Sequence, residues 1–387
     1  MNSRERVLTA LAHKEPDRVP FDLGGTVLTG INVKAYLALR NYLGLPRVEP
    51  VICDTIQQLA RVDDDVIERL KVDVRRLAPQ SPSHFHLEIK DTEDGQYTYC
   101  YDEFQIGRRK PKIGGLYYDM FHFPLSGNIS ESDAERFPLP DGADPTRLID
   151  VEKSAKKILT KEKRALVMGN MSGGIFELFL WMRSFNDGFT DLVSKPALAQ
   201  KLLRRYTDIQ LAYWGKVFGA LGDSVDVVHM ADDFSGQDAM LISPSSYRRY
   251  LKPLHKEMFD YIHSHSRAKI FFHSCGAIRK VIPDLIEIGL DIINPVQVNA
   301  AGMDSAELKR EYGKDLTFWG GGVDTQRAFD ASHTPQEVRE DVKRRLHDLM
   351  PGGGFVFATV HNIQGNVPPE NIMAMWETLQ EYGVYSR

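Results

Sequence analysis

Residues 268–297, "AKIFFHSCGAIRKVIPDLIEIGLDIINPVQ", hold two short apolar runs, 268–276 and 290–297, with a segment of helical periodicity between them. A few Val, Ile and Phe in a row, stopped by Gly, Asn or His, read as a strand buried on both faces. A helix between two such runs reads as a βαβ unit with parallel strands. Working outward, similar runs occur at "RVPFDLGG" (18–25), "VDVRRLAP" (72–79), "ALVMGNMSG" (165–173), "VDVVHMADDF" (225–234), "LTFWGGGVDT" (316–325) and "GGFVFATVHN" (353–362). Eight strands alternating with helices in 387 residues predict an α/β fold, a (β/α)8 TIM barrel rather than a doubly wound sheet.

The helices between the runs have readable ends. In "ISPSSYRRYLKPLHKEMFDYIHSH" (242–265) Ser243 is the expected cap and Pro244 the first helical residue. "HTPQEVREDVKRRLHDLM" (333–350) pairs Thr334 with Glu337 in a capping box around Pro335, and a last helix opens at "PPENI" and stops near Gly383. Residues 85–125 break the alternation. Tyr, Ile and charged residues alternate there around "EDG", which predicts an antiparallel hairpin inserted after the second barrel strand and able to lie over the barrel mouth. With no internal repeat, low-complexity tract or linker, residues 1–387 read as one domain.

Composition narrows the function. A net charge of −5 with scattered Lys and Arg leaves no basic footprint for nucleic acid. No stretch approaches the ~18 apolar residues of a membrane span. Cys53, Cys100 and Cys275 form no disulfide framework, so a reducing, cytoplasmic setting is expected.

In a barrel the strands exit into loops at one mouth, and polar residues at the strand ends converge there. His273 and Cys275, two apart at the end of the fifth run, can face one ion as the chain leaves the sheet, with His361 at the end of the eighth run as third ligand. Two imidazoles, a thiolate and an open fourth position suit catalytic zinc. A buried thiol beside a hydrogen-bonded histidine is the competing reading, and the residues alone leave both open.

Asp232 and Asp233 are adjacent, so one is expected to face the mouth as general acid, base or histidine partner, and the other to cap the following loop. Glu177 reads either as a mouth acid or as a first-turn helix residue, where negative charge is favoured. Asn170, Asn294, Gln297 and Asn362 are the expected polar substrate contacts, with Phe234 and Trp319 as aromatic walls. Such aromatics are more often core than ligand contacts. "FWGGGVDTQ" (318–326) lacks the lysine and the spacing of a phosphate cradle.

"HKEPDRVPF", "DDFSGQDAMLISPSSYRRYLKP", "FFHSCGAIRKVIPDLIEIGLDIINPVQ" and "GGGFVFATVHNIQGNVPPENI", in this order along nearly the whole chain, resemble the uroporphyrinogen decarboxylase superfamily. That superfamily is similar in fold to cobalamin-independent methionine synthase. It contains tetrapyrrole decarboxylases as well as methyltransferases that work with a corrinoid (cobalamin-type) protein. The methyltransferase branch holds zinc by His-x-Cys and a later Cys. His273 and Cys275 match the first part, and His361 stands where the later Cys would be. An imidazole there leaves the site one negative charge poorer and the metal a stronger Lewis acid.

The decarboxylase branch carries an arginine-rich signature after its first strand, where this chain reads "FDLGGTVLTG" (21–30). The polar strand ends picked out above carry Asp and Asn rather than Arg, a poor match to a substrate crowded with carboxylates. The resemblance therefore implies a zinc-dependent methyltransferase acting between a small O-, N- or S-methyl compound and a corrinoid protein docked at the mouth. Asp232 or Asp233 would manage the proton. The alternative is a metal-free decarboxylase of a carboxylated ring, and a third is a barrel that only binds a tetrapyrrole or a partner. No membrane or nucleic acid is expected as partner, and a homodimer is left open.

Overall fold

Seven short strands form one curled parallel sheet in the computed structural model, which describes residues 1–385. They are β1 (Val74–Leu77), β2 (Ala165–Met168), β3 (Val227–Ala231), β4 (Lys269–His273), β5 (Ile292–Asn294), β6 (Thr317–Trp319) and β7 (Phe355–Val356), each paired with its neighbours in chain order. Residues 20–22 close the ring. Phe21 bridges Phe357 in parallel, the Phe357 N–H donates to Pro20 O at 2.8 Å, and on the far side the Asp73 N–H donates to Phe21 O at 2.8 Å. All eight runs read from the sequence thus lie in the barrel in order. Their continuous apolar character follows from burial on both faces: Ala165 to Met168, Ile270, Phe271 and Ile292 are all fully buried.

An aspartate opens three of these strands. Asp73, Asp226 and Asp291 each accept the N–H of a residue in the preceding strand or closing segment, Phe21, Leu166 and Ile270, all at 2.9 Å. Each is also met by basic side chains. Arg6 and Arg18 hold Asp73, Arg4 holds Asp226, and Lys269 and His263 hold Asp291. Arg4 and Arg6 come from α1 (Ser3–Leu11), so this helix is fastened across the N-terminal end of the barrel by charge as well as by Val7 and Ala10.

Two further helices position the site, α2 (Ile175–Arg183) and α3 (Lys252–His265). The segment before α3 opens as expected, with the Ser246 N–H donating to Ser243 Oγ at 3.0 Å, but it widens into a π turn over Tyr247–Leu251. Pro253 has no N–H to continue a regular ladder, and the extra residue in the turn absorbs the loss. The Thr334–Glu337 capping box forms at the head of helix Pro335–Leu349, and the last helix runs Pro369–Tyr382.

The insertion between β1 and β2 contains the hairpin expected around "EDG" and extends it. Lys90–Asp91, Tyr97–Tyr101, Gly107–Pro111 and Asp119–His122 make a four-stranded antiparallel sheet. A second antiparallel sheet, Ile31–Asn32, Ile52–Asp54 and Leu59–Ala60, was not expected, because strands of two or three residues are too short to show alternation. Among the described residues no helix is long and apolar enough to cross a membrane.

Candidate functional site

Register decides which side chains enter the barrel. Directly paired residues of parallel strands point the same way, and the period along a strand is two. Arg76 pairs with Val167, Val167 with Val227, and Ala231 with His273. Arg76, His229, Ala231 and His273 therefore share the inner face, and all four line a cavity of ≈480 Å³ at the C-terminal mouth. The insertion covers it from above, contributing Arg108, while Val27 and Leu28 from the loop after the closing segment form another wall.

His273, at the end of β4, has one ring nitrogen committed. Asn294 donates through Nδ2 to Trp319 O at 2.6 Å, which turns its Oδ1 toward His273 Nδ1 at 2.5 Å. That oxygen can only accept, so His273 Nδ1 carries the proton and Nε2 presents a lone pair. Cys275 Sγ lies 3.2 Å from that Nε2, and the His361 ring centroid is 5.7 Å from that of His273. One donor atom from each of His273, Cys275 and His361 falls within 4.8 Å of the other two.

Electrostatics suit a cation. Burial pushes both imidazoles down to about 4, helped at His361 by the neighbouring His273, so both are neutral at pH 7 with a lone pair to give. Burial first, then the charges of Asp233 and Glu177, push the Cys275 thiol well above its ordinary value. A bound cation reverses that last effect, because it stabilises the thiolate directly. Two neutral nitrogens and one sulfur form a donor set suited to zinc, with a position left for substrate.

The two adjacent aspartates divide by parity. Ala231 points inward, so Asp232 points out toward the helices and Asp233 points in. Asp232 is fully buried, accepts the N–H groups of Phe176 and Glu177 at 3.0 Å, and meets His255 Nε2 of α3 at 3.0 Å. It anchors the start of α2. Gly174 permits this close approach, since a Cβ there would stand 2.2 Å from Ala231 O and 2.3 Å from Asp232 Oδ1.

Asp233 lines the cavity, accepts the Cys275 N–H at 2.7 Å, and has an oxygen 3.9 Å from His273 Nε2. Burial pushes its carboxyl up to about 6. Glu177 also lines the cavity and accepts the Gly174 N–H at 3.0 Å, so it is at once a mouth acid and a first-turn residue. Burial, with Asp233 and Asp232 nearby, raises its carboxyl well above the usual range.

Of the remaining residues marked in the sequence, only Asn170 reaches the cavity wall. Asn294 is fully buried behind His273, and Gln297 is spent on the Gly276 N–H at 2.8 Å. Asn362 accepts the Gly30 N–H at 2.6 Å and donates to Val27 O and Gln57 Oε1, holding the wall from behind. Phe234 and Trp319 are core residues. Phe234 packs on Tyr247 and Phe272, and Trp319 donates Nε1 to Asp22 Oδ2 at 2.8 Å. Of the two aspartates it is thus Asp233 that lines the cavity, and of the six residues expected to touch substrate Asn170 does, while the other five stand behind its wall or are already bonded.

The structure also overturns the expectation of a mouth without arginine. Arg76 and Arg108 both line it. Arg76 stood in "VDVRRLAP", where only strand parity separates it from outward-facing Arg75, which pairs with Glu162 at 2.5 Å and with Asp64. Arg108 comes from the insertion, which was expected over the mouth without any signal of which side chain it would present there.

The family model described as uroporphyrinogen decarboxylase (URO-D) matches residues 124–382. The uroporphyrinogen decarboxylase of Gluconobacter oxydans is 24% identical over 277 residues, covering 66% of this chain and 71% of that protein. That of Neisseria meningitidis serogroup C is 24% identical over 265 residues, covering 65% and 68%. A solved structure of a methyltransferase from Methanosarcina mazei has a TM-score of 0.65 at 18% identity over 99% of both chains, a likeness of fold.

Proposed function

Because the chain belongs to the uroporphyrinogen decarboxylase family, we propose that its barrel mouth works as a zinc-dependent methyltransferase site. It would move a methyl group between a small O-, N- or S-methyl compound and a corrinoid protein docked at the mouth. The observation that carries this reading is the convergence of His273, Cys275 and His361, with Asn294 fixing the His273 tautomer. The His-x-Cys pattern at His273 and Cys275, and a likeness of fold to a methyltransferase over 99% of the chain, support it.

Zinc held by these three residues would supply Lewis acidity toward the substrate heteroatom. Asp233 orients the Cys275 backbone through the N–H it accepts, and faces His273. Loss of a methyl group leaves the heteroatom with an extra electron pair, and Glu177, whose carboxyl is raised well above the usual range by burial and by Asp233 and Asp232, is the acid that would neutralise it. The apolar wall from Val27, Leu28, Ile56 and Trp181 keeps bulk water from that pair.

Elemental analysis of the purified protein tests this reading. Near-stoichiometric zinc in the wild type, lost in both His273→Ala and His361→Ala while the fold persists, is the expected result. A folded wild type without metal, prepared without chelator, removes the proposal. A second reading has one observation in its favour: Arg76 and Arg108 in the cavity suit a carboxylated substrate, so metal-free decarboxylation of a carboxylated ring is the reaction to assay in that event.

A further inference from the structure

We propose that Arg76 and Arg108 form a subsite for a carboxylate on the substrate, at the opposite end of the molecule from the group that faces His273, Cys275 and His361. The substrate class is then a small carboxylic acid that carries its methyl group on a heteroatom. What faces His273 rests on the methyl-transfer reading above; the anion subsite stands on the arginines.

Buried arginines are almost always paired. Arg108 is only 8% exposed, and the Nε atoms of both Arg76 and Arg108 are buried without a hydrogen-bond partner. Among the described residues Arg76 has no carboxylate within ion-pair distance, although Arg75 beside it has two. The acids of the adjoining ≈720 Å³ hollow, which Arg76 also borders, do not serve it: Asp63 and Asp65 pair with Arg40, and Asp64 with Arg75.

Arg108 has Asp102 3.5 Å from its Nε, and its guanidinium lies over the Trp181 ring at 4.9 Å. Stacking occupies the face of the guanidinium and leaves its edge N–H groups for a planar, two-oxygen acceptor. His229, neutral because burial drives its pKa well down, adds a third unpartnered polar atom, Nε2, on the same inner face.

The acids within the cavity do not neutralise the pair in place. Glu177 accepts the Gly174 N–H, Asp54 accepts from Gln57, and Asp233 is turned to the Cys275 N–H. The Arg108 fork over the Trp181 indole, with Arg76 lining the same cavity, fits a flat body bearing a carboxylate. Both arginines lie before residue 124, outside the stretch matched by the family model.

The test is calorimetric titration of the full chain, as purified, with 3-methoxybenzoate and with its neutral isostere 3-methoxybenzamide. The acid is expected to bind at least about tenfold more tightly than the amide. Arg76→Met and Arg108→Met should each erase that preference while amide binding, zinc content and circular dichroism stay unchanged. Equal binding of acid and amide, no binding of either, a preference that survives both substitutions, or tighter binding of inorganic phosphate overturns the proposal. A metal-free wild type that still prefers the acid keeps the subsite and removes methyl transfer. A zinc-loaded wild type indifferent to the charge does the reverse.

Discussion

Asp73, just before strand β1, receives four hydrogen bonds, one from Arg6, two from Arg18 and one from the Phe21 N–H, whereas Arg76, three residues along, donates none. The same contrast holds around the barrel. At the N-terminal end Asp226 and Asp291 are also met by cations and by strand N–H groups. At the mouth His229 Nε2, Arg76 Nε and Arg108 Nε are buried without a hydrogen-bond partner. A buried polar atom without a partner costs stability, so several of them at one end mark where a ligand completes the structure.

The strongest way to break this comparison is to remove an anchor from the paired end. Asp73→Ala would leave Arg6 and Arg18 without their shared carboxylate and the Phe21 N–H without an acceptor. We expect urea unfolding to show a loss of about 3–5 kcal/mol, the range for removing one partner of a buried pair. A loss of under about 1 kcal/mol, as for a surface pair, would mean that this end is not a structural anchor. His273→Ala, at the mouth, should instead cost metal with little effect on the apoprotein's unfolding.

The comparison also shows what could be read in advance. All eight barrel segments were legible, since a parallel strand buried on both faces leaves a continuous apolar run, even where the closing segment is only residues 20–22. His273, Cys275 and His361 were legible because strand ends converge at the mouth whatever the exact register. Asp232 and Asp233 were separable only by parity, which the pairing of Ala231 with His273 supplies. Arg76 was lost for the same reason: in "VRR" one arginine faces helices and the other the cavity, and the pattern "VDV", "VDV", "LDI" that marks the anchoring aspartates sat unread beside it.

A titration sharpens the contrast with a smaller effect. Burial raises Asp22, at the mouth end of the closing segment, to about 6 from an ordinary 3.8, whereas the hydrogen bonds and cations on Asp291 outweigh its burial and lower it. A raised folded-state value means that the unfolded chain releases its proton first as pH rises. Asp22 therefore makes stability fall between about pH 4 and about pH 6. Asp291 works in the other sense, and its contribution is lost as pH falls below the ordinary aspartate value. Unfolding free energies of Asp22→Asn relative to wild type should rise by roughly 2–3 kcal/mol across that window. A flat difference would show that Asp22 is not held in a protonation state of its own.

The smallest effect is the most discriminating, because its sign is opposite at the two ends. Every arginine at the paired end should destabilise the protein when removed, as Arg6→Met would by taking one cationic partner each from Asp73 and Asp17. Arg76 has no carboxylate to orphan, so Arg76→Met exchanges an unpaired, partly buried guanidinium for an apolar side chain of similar reach. We expect the ligand-free protein to gain about 0.5–2 kcal/mol, read as a higher urea midpoint at unchanged slope. The gain should vanish when wild type and variant are compared with a saturating carboxylate present, since only the wild type is then stabilised by binding. If Arg76→Met instead destabilises the free protein, the guanidinium serves the fold, and the two ends of the barrel differ less than their hydrogen bonds imply.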